Sequence, residues 1–300
     1  MNILAAIVTY NRMALLERCI EHLRGQSRPP DAILVVNNSS PDGTVAMLER
    51  LGVDYVTQPN VGSAGGWRRC ITESVERGYD AVWLMDDDGY PARDALALLE
   101  GRMGEGVCCV SSVVLCEDDR NRFVFPFPAL DRQGMPRLFS RKRKYRHLDE
   151  LKKASGGEPY PFAHLFNGAL IGTDTIRRLG NVDSDFFLMG DEVDFLLRMM
   201  RDGRVLTHLD AHHLHPDVGG RPLDKAKFYY YVKNSIILNR RYLNKPALRS
   251  LLALAAALGR TARRNSVGEA LSYVAGNRAP ILWKAVARGL RGKPGKDFDG

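Results

Sequence analysis

The sequence predicts an α/β fold, a Rossmann-like and mostly parallel sheet followed by a C-terminal helical extension. Apolar runs of strand length alternate with turn signals and helical stretches through the first half of the 300 residues, as a parallel sheet with covering helices requires. A run of three carboxylates, Asp86-Asp87-Asp88, stands directly after one of those apolar runs. From Lys225 onward the sequence is almost wholly helical in character, so a sheet-based domain is expected over 1–222 and a basic helical region over 223–300.

Residues 3–9 form the first expected strand. They follow Met1 with neither a basic stretch nor a small-residue cleavage site, so this end reads as strand rather than signal peptide. Asn11 is placed to cap a helix carrying Leu16, Ile20 and Leu23 on one face. Residues 32–36, 53–57 and 81–85 continue the sheet, with a helix at about 64–77, and 107–115 is a further β-rich run. The pattern loosens over 117–160 into charged, Pro- and Gly-containing sequence, expected as long surface loops. Regular structure returns at 169–172 and in a helix over 191–201, whose Val193, Leu196, Leu197 and Met200 form one stripe and which Gly203 stops. Residues 205–209 are another strand.

Composition sets the class. An apolar fraction of 45% and a charged fraction of 26% exclude disorder, collagen and a multi-span membrane protein. The length suits one large α/β domain with an appended helical piece. Forty-three Lys and Arg stand against 35 Asp and Glu, and the excess is uneven: residues 245–293 hold ten basic side chains and one acidic, Glu269. Such a tail seeks anions. The five cysteines are odd in number and include no CxxC pair, which reads as reduced thiols in a cytosolic protein.

Open parallel sheets bind ligands beyond the carboxyl ends of their strands, where Asp86-Asp87-Asp88 falls. Three adjacent carboxylates repel one another and invite a hard divalent ion, Mn2+ or Mg2+, which takes one or two protein carboxylates and completes its shell with water and phosphate oxygens. The competing reading is a solvated acidic turn before the next helix. Between a strand and a helix lies Asn60-Val61-Gly62-Ser63-Ala64-Gly65-Gly66, where missing side chains let a ligand approach the backbone and helix-start N–H groups face phosphate. Arg69, just inside that helix, is a candidate phosphate contact or else an exposed helix arginine.

These pieces fall in a recognisable order. Ile7-Val8-Thr9-Tyr10-Asn11-Arg12, then Val35-Val36-Asn37-Asn38-Ser39-Ser40-Pro41-Asp42-Gly43-Thr44, then the glycine stretch and the triple aspartate, resemble the ordered motifs of family 2 inverting glycosyltransferases. The resemblance implies a GT-A catalytic domain, nucleotide contacts from Thr9, Asn11, Arg12 and Asn37, and an aspartate cluster in which Asp86 and Asp87 meet the donor and Asp88, with Asp86, holds the metal; Asn60, Gly62, Gly65 and Arg69 join the donor contacts on the phosphate reading above. Asn37 stands where the family usually has Asp, so the base edge is read differently.

Inverting transfer needs a base for the acceptor hydroxyl. Gly190-Asp191-Glu192-Val193-Asp194 puts two acids at a helix start, where the dipole favours their ionised forms. The segment is similar to the family's Glu-Asp-x-Asp motif with the order reversed, which puts the base at Glu192, with Asp191 as the alternative. The glycine before it, and Trp67-Arg68-Arg69 after the glycine stretch, resemble the galactofuranosyl- and rhamnosyl-transferase branch. His212, His213 and His215 follow on an expected strand. Alternate histidines on a strand usually face solvent, and no cysteine pairing completes a zinc set. The resemblance implies a third metal ligand here, best matched by His215, with His213 the alternative.

Five of the six residues 141–146 are basic, but Tyr145 alone makes no stacking platform, so no nucleic acid is expected. Residues 247–264 have an apolar stripe with basic ends, and their longest uncharged run, 250–259, is too short to span a bilayer; 280–293 are amphipathic with Trp283, and the competing reading of both is a helical cap packed on the sheet domain. The expectation is a cytosolic enzyme bound peripherally to the inner, anionic face of the cell membrane. It would move a hexose such as galactofuranose or rhamnose from a nucleotide-diphosphate sugar to a lipid-linked glycan in cell-envelope synthesis. The alternative is a non-catalytic nucleotide-sugar or glycan-binding protein of the same fold, motivated by Asn37 and the reversed acid pair.

Overall fold

Apolar alternation and helical periodicity resolve into ten strands and eleven α-helices in the computed structural model, which describes residues 1–218, 220 and 222–297. The first half comprises β1 (Ile3–Thr9), α1 (Met13–Arg24), β2 (Ala32–Asn37), α2 (Thr44–Leu51), β3 (Asp54–Thr57), α3 (Gly62–Glu76), β4 (Ala81–Asp86), β5 (Tyr90–Pro91), α4 (Ala95–Glu100) and β6 (Val107–Cys116). Then come β7 (Arg122–Pro128), β8 (Lys144–His147), α5 (Leu148–Ser155), β9 (Asn167–Gly172), α6 (Thr173–Leu179), α7 (Asp191–Asp202) and β10 (Arg204–His215). Four helices close the chain: α8 (Lys225–Tyr242), α9 (Pro246–Arg264), α10 (Val267–Ala275) and α11 (Ala279–Leu290).

The chain divides into two compact units, Met1–Val182 with Phe195–Asp217, and Asp183–Asp194 with Val218–Gly300. In the first, the sheet runs β3-β2-β1-β4-β9-β6-β10-β5. Neighbours among β1 to β4 pair in parallel, as do β6 and β10. β9 lies antiparallel between β4 and β6, so β6 and β10 run in the direction of β1. The register sets Thr9 beside Asn37 and Val8 beside Asp86, which brings three motifs to one edge.

Every residue of β1 is buried, so its alternate side chains feed two apolar layers. Ile3, Ala5 and Ile7 pack with Leu16, Ile20 and Leu23 of α1, while Leu4, Ala6 and Val8 pack with Trp67 and Ile71 of α3. Gly66 permits the second approach, because a Cβ there would lie 2.6 Å from Val8 Cγ1.

Three local expectations are corrected. Residues 117–160 hold β7, β8 and α5 rather than loops alone, with Phe123 and Phe127 buried. Pro126 interrupts the alternation that would have announced β7. Asn11 does not cap α1: the N–H of Met13 donates to Asp42 Oδ2 at 2.9 Å, a partner 29 residues away. On α7, Val193 is 42% exposed, and the buried face is Phe195, Leu196, Leu197 and Met199.

The second unit gathers Phe228, Tyr229, Tyr230, Val232, Tyr273 and Leu282 into one core, with Phe228 stacked on Tyr273 at 3.8 Å between centroids. Among the described residues no helix is long and apolar enough to cross a membrane.

Candidate active site

At the carboxyl edge of the sheet the structure assembles Thr9, Arg12, Asp87, Asp88 and His215. Asp86 closes β4, its N–H donating to the carbonyl of Phe166 at 2.9 Å, and the chain then turns so that Asp87 and Asp88 are both buried. The Thr9 hydroxyl donates to Asp87 Oδ2 at 2.8 Å. Arg12 Nη1 bridges Asp87 Oδ1 at 3.0 Å and Asp88 Oδ2 at 2.7 Å. Part of the countercharge that the three carboxylates demand is therefore supplied by the protein. Burial holds the Asp87 carboxyl above the usual range, against the pull of Arg12 and Thr9.

His215 reaches Asp88 from the end of β10. Its Nε2 lies 2.9 Å from Asp88 Oδ1, and its Nδ1 lies 2.7 Å from the carbonyl oxygen of Pro216. A carbonyl only accepts, so Nδ1 carries a proton, and Nε2 meets the carboxylate either as the second N–H of an imidazolium or as a lone pair. Two lone pairs facing each other at this distance call for a proton or a metal ion. The remaining donor set, one carboxylate oxygen and one imidazole nitrogen, is one that a first-row divalent ion accepts, with water and phosphate oxygens completing the shell. Among the described residues no group of three or more His, Cys, Asp or Glu side chains is arranged to hold a metal.

The strand histidines do not face solvent as alternation suggested: His213 and His215 are both buried. They differ in what they meet. Both ring nitrogens of His213 lack a partner among the described residues, and burial, aided by His215, pushes its pKa down to about 3. A Cβ on Gly89 would lie 2.3 Å from its Nε2, so this neutral ring fills the space that glycine leaves.

The other candidate donor residues lie around β2 and the start of α3. Asn37 is fully buried, with Oδ1 accepting from the N–H of Ser40 at 2.9 Å and Nδ2 near Thr57 Oγ1 at 3.4 Å. Asn11 is exposed in a left-handed conformation (φ 56°), its N–H donating to Ser40 Oγ at 2.9 Å, so the first two motifs brace each other. Asn60 Oδ1 accepts from the N–H of Gly62 at 3.1 Å, and Gly62 takes φ 79°, a turn that side chains resist. Gly65 is similarly constrained, since a Cβ there would lie 2.3 Å from Val61 Cγ2. Arg69 pairs with Glu73 at 2.6 Å.

Sequence reasoning missed two supports. Arg18 Nη2 donates to the backbone carbonyl of Asp88 at 3.2 Å, pairs with Glu117 at 2.9 Å and lies over the Tyr90 ring at 4.5 Å. Nothing distinguished it from an ordinary helix-surface arginine. The other is Asn234, in the second unit. Its Nδ2 donates to the carbonyls of Phe186, Leu188 and Met189, at 3.2, 3.1 and 2.5 Å. Phe187, Met189 and Gly190 all have positive φ, so one buried amide holds a strained loop directly before the two acids.

At the start of α7, Asp191 is 4% exposed, and its Oδ2 has no partner among the described residues. Burial pushes its pKa up to about 6, although the N–H groups of Asp191 and Glu192 favour the charged form. Glu192 is half-buried, and Asp194 accepts from the Tyr242 hydroxyl at 2.7 Å. The raised pKa sets a sign. Between the ordinary value near 3.8 and about 6 the folded chain keeps a proton that the unfolded chain has lost, so this group's contribution falls as pH rises through that window and is fully unfavourable above it. Asp191→Asn is expected to raise stability at pH 7.5 by at most about 3 kcal/mol. The gain should vanish toward pH 4, and urea unfolding at the two pH values measures it.

A mostly parallel sheet with clustered aspartates beyond its fourth strand is the arrangement of a GT-A glycosyltransferase, and solved structures share the fold. The mannosyltransferase PcManGT of Pyrobaculum calidifontis, in complex with GDP-Man and Mn2+, aligns with a TM-score of 0.55 at 17% identity, over 97% of this chain and 86% of that one. Residues 1–349 of S. aureus TarS align with a TM-score of 0.57 at 13% identity, over 98% and 81%. The profile described as glycosyl transferase family 2 matches residues 5–166, and the chain belongs to that family. It is 34% identical over 275 residues to galactofuranosyltransferase GlfT1 of Mycobacterium tuberculosis (strain CDC 1551 / Oshkosh), covering 84% of this chain and 85% of that protein. The GlfT1 of Mycolicibacterium smegmatis (strain ATCC 700084 / mc(2)155) is 32% identical over 268 residues, covering 83% and 85%.

Proposed function

We propose that this glycosyltransferase moves galactofuranose, with inversion, from a nucleotide-diphosphate carrier to a hydroxyl of a lipid-linked glycan during cell-envelope synthesis. The observation that carries the mechanism is the Asp88 and His215 pair at the carboxyl edge of the sheet, 2.9 Å apart and buried. The kinship with the two GlfT1 proteins supports the sugar.

Asp88 and His215, with Asp86 nearby, would hold Mn2+ or Mg2+, which would supply positive charge for the departing diphosphate. Arg12 aligns Asp87 and Asp88, and Thr9 fixes Asp87. The donor's phosphates approach the backbone from Asn60 to Gly65, where the α3 start offers N–H groups. Asn11 offers an exposed side chain to the nucleotide, while buried Asn37 acts through the 37–40 turn that it closes. Arg69 holds the helix through Glu73 until phosphate competes for it. Glu192, half-buried at a helix start, takes the acceptor proton as its oxygen attacks the anomeric carbon. Asp191, closed off by burial, spends its carboxylate on the first helical N–H groups and so sets the α7 start.

The C-terminal helices are assigned to the membrane surface. Val267, Leu271 and Val274 recur at spacings of four and three on α10, each more than half exposed, as are Trp283 and Leu290 on α11. The ten-to-one basic excess over 245–293 supports an anionic lipid face.

A screen of nucleotide sugars with Mn2+, reading nucleotide release with and without lipid extract, tests the proposal. Release is expected with the galactofuranose donor and to rise when lipid extract supplies acceptor. Donor binding without turnover on any acceptor favours the non-catalytic alternative.

A further inference from the structure

The hairpin of β7 and β8 has no part in the chemistry above, yet its charge is one-sided. Between Asp131 and Asp149 the chain carries seven Lys and Arg side chains and no Asp or Glu, and all seven are exposed. Glu150, just beyond, meets Lys142 at 3.0 Å. In the connecting loop Phe139 is 75% exposed, the highest value of any large apolar side chain among the described residues.

The loop is braced, so this ring is presented on a built support. The N–H of Ala129 donates to the carbonyl of Arg143 at 2.9 Å, and the N–H of Arg137 donates to the carbonyl of Ala129 at 2.8 Å. Asp131 Oδ1 accepts from the N–H groups of Gln133 and Met135 at 2.9 and 3.0 Å, and Arg137 Nε donates to the Leu130 carbonyl at 2.8 Å. Residues 138–142 form an arch of irregular backbone beyond these bonds. The base of the arch is thus ordered by folding, which lowers the entropy cost of docking it on a partner.

Charge and ring together decide what fits. Seven cations attract a polyanion. A single-stranded nucleic acid would need several rings for its bases, but Tyr145 is half-buried and edge-on to Tyr160 at 6.1 Å, which leaves one ring where stacking needs a series. An anionic bilayer asks for what the arch offers: an apolar ring at headgroup depth, with Lys and Arg beside it for lipid phosphates.

We propose that the 137–143 arch is a membrane contact, in which Phe139 enters the headgroup layer of an anionic bilayer and the flanking cations pair with lipid phosphates. The arch belongs to the sheet-bearing unit, so it is a contact beyond the C-terminal helices and rests on none of their residues.

The test uses the full chain with a bimane label on Phe139→Cys, the five native cysteines being buried. Emission is expected to move to the blue with vesicles of phosphatidylcholine and phosphatidylglycerol, and not with phosphatidylcholine alone. Unlabelled chain should sediment with the anionic vesicles, about tenfold or more weaker once Arg141, Lys142 and Arg143 are changed together to Gln. That loss should shrink as salt is raised, whereas the smaller loss from Phe139→Ser should hold at every salt concentration. Nucleotide release without lipid is expected to be unchanged in both variants, which tests the transfer reading separately. The proposal is overturned if the chain ignores anionic vesicles, or if neutral vesicles shift the label equally. It also fails if the label stays unshifted on a chain that sediments, which leaves the C-terminal helices as the contact. Loss of polyuridylate binding in the triple variant with vesicle affinity intact would overturn it too, and would assign the arch to nucleic acid.

Discussion

Alanine in place of Asp88 is expected to lower sugar transfer about a thousandfold or more, the loss that follows when a leaving diphosphate goes unneutralised. Asp88 is the residue on which three supports meet: His215 at 2.9 Å, Arg12 at 2.7 Å and, through its carbonyl, Arg18 at 3.2 Å. Removing the carboxylate takes one ligand from the cation and frees the Arg12 guanidinium to swing fully toward Asp87. Calorimetry with Mn2+ and the nucleotide-release assay check this together. Undiminished Mn2+ affinity in the variant would detach the metal from Asp88 and return the triple aspartate to the role of a solvated turn.

The second large effect is expected at Glu192. Glutamine keeps the size and hydrogen bonds of the side chain but does not accept a proton, so transfer should fall by about 10²- to 10⁴-fold with donor and metal affinity unchanged. A KM for donor near that of the unaltered enzyme, beside a collapsed kcat, is the expected signature. If Glu192→Gln weakens donor binding as much as Asp88→Ala does, its role as base fails. If instead Asp191→Asn gives the larger loss in kcat, the base is the buried acid, and its pKa near 6 should appear as the acid limb of the pH profile.

What the residues revealed in advance was the part governed by local order. The strands from Ile3 to Asp86 were legible because buried parallel strands are continuous apolar runs between turn signals. The triple aspartate was legible because it abuts such a run. Tertiary pairing was not. No local signal says that Arg12 turns onto Asp87 and Asp88, that Asp42 caps a helix 29 residues before it, or that Asn37 is sealed beneath a turn. Alternation placed His213 and His215 on one strand face but misjudged it as exposed, because that face is covered by residues distant in sequence: Gly89 and Gly168 lie against the His213 ring, and Phe125 meets His215 edge-on at 5.8 Å between centroids. Asn234 carried no local cue either, since the carbonyls it holds are 45 to 48 residues away.

The position of His215 at the far end of β10 has a consequence for how an active molecule comes into being. Its partner Asp88 is made 127 residues earlier (215 − 88), and between them the chain must lay down β6, reverse through β9 and return along β6 as β10. Contacts so distant along the chain form slowly. A nascent polypeptide emerging from the ribosome would thus own its aspartates, glycine turn and most of its sheet while still unable to hold a cation firmly, and competence to transfer sugar would switch on only as the tenth strand docks.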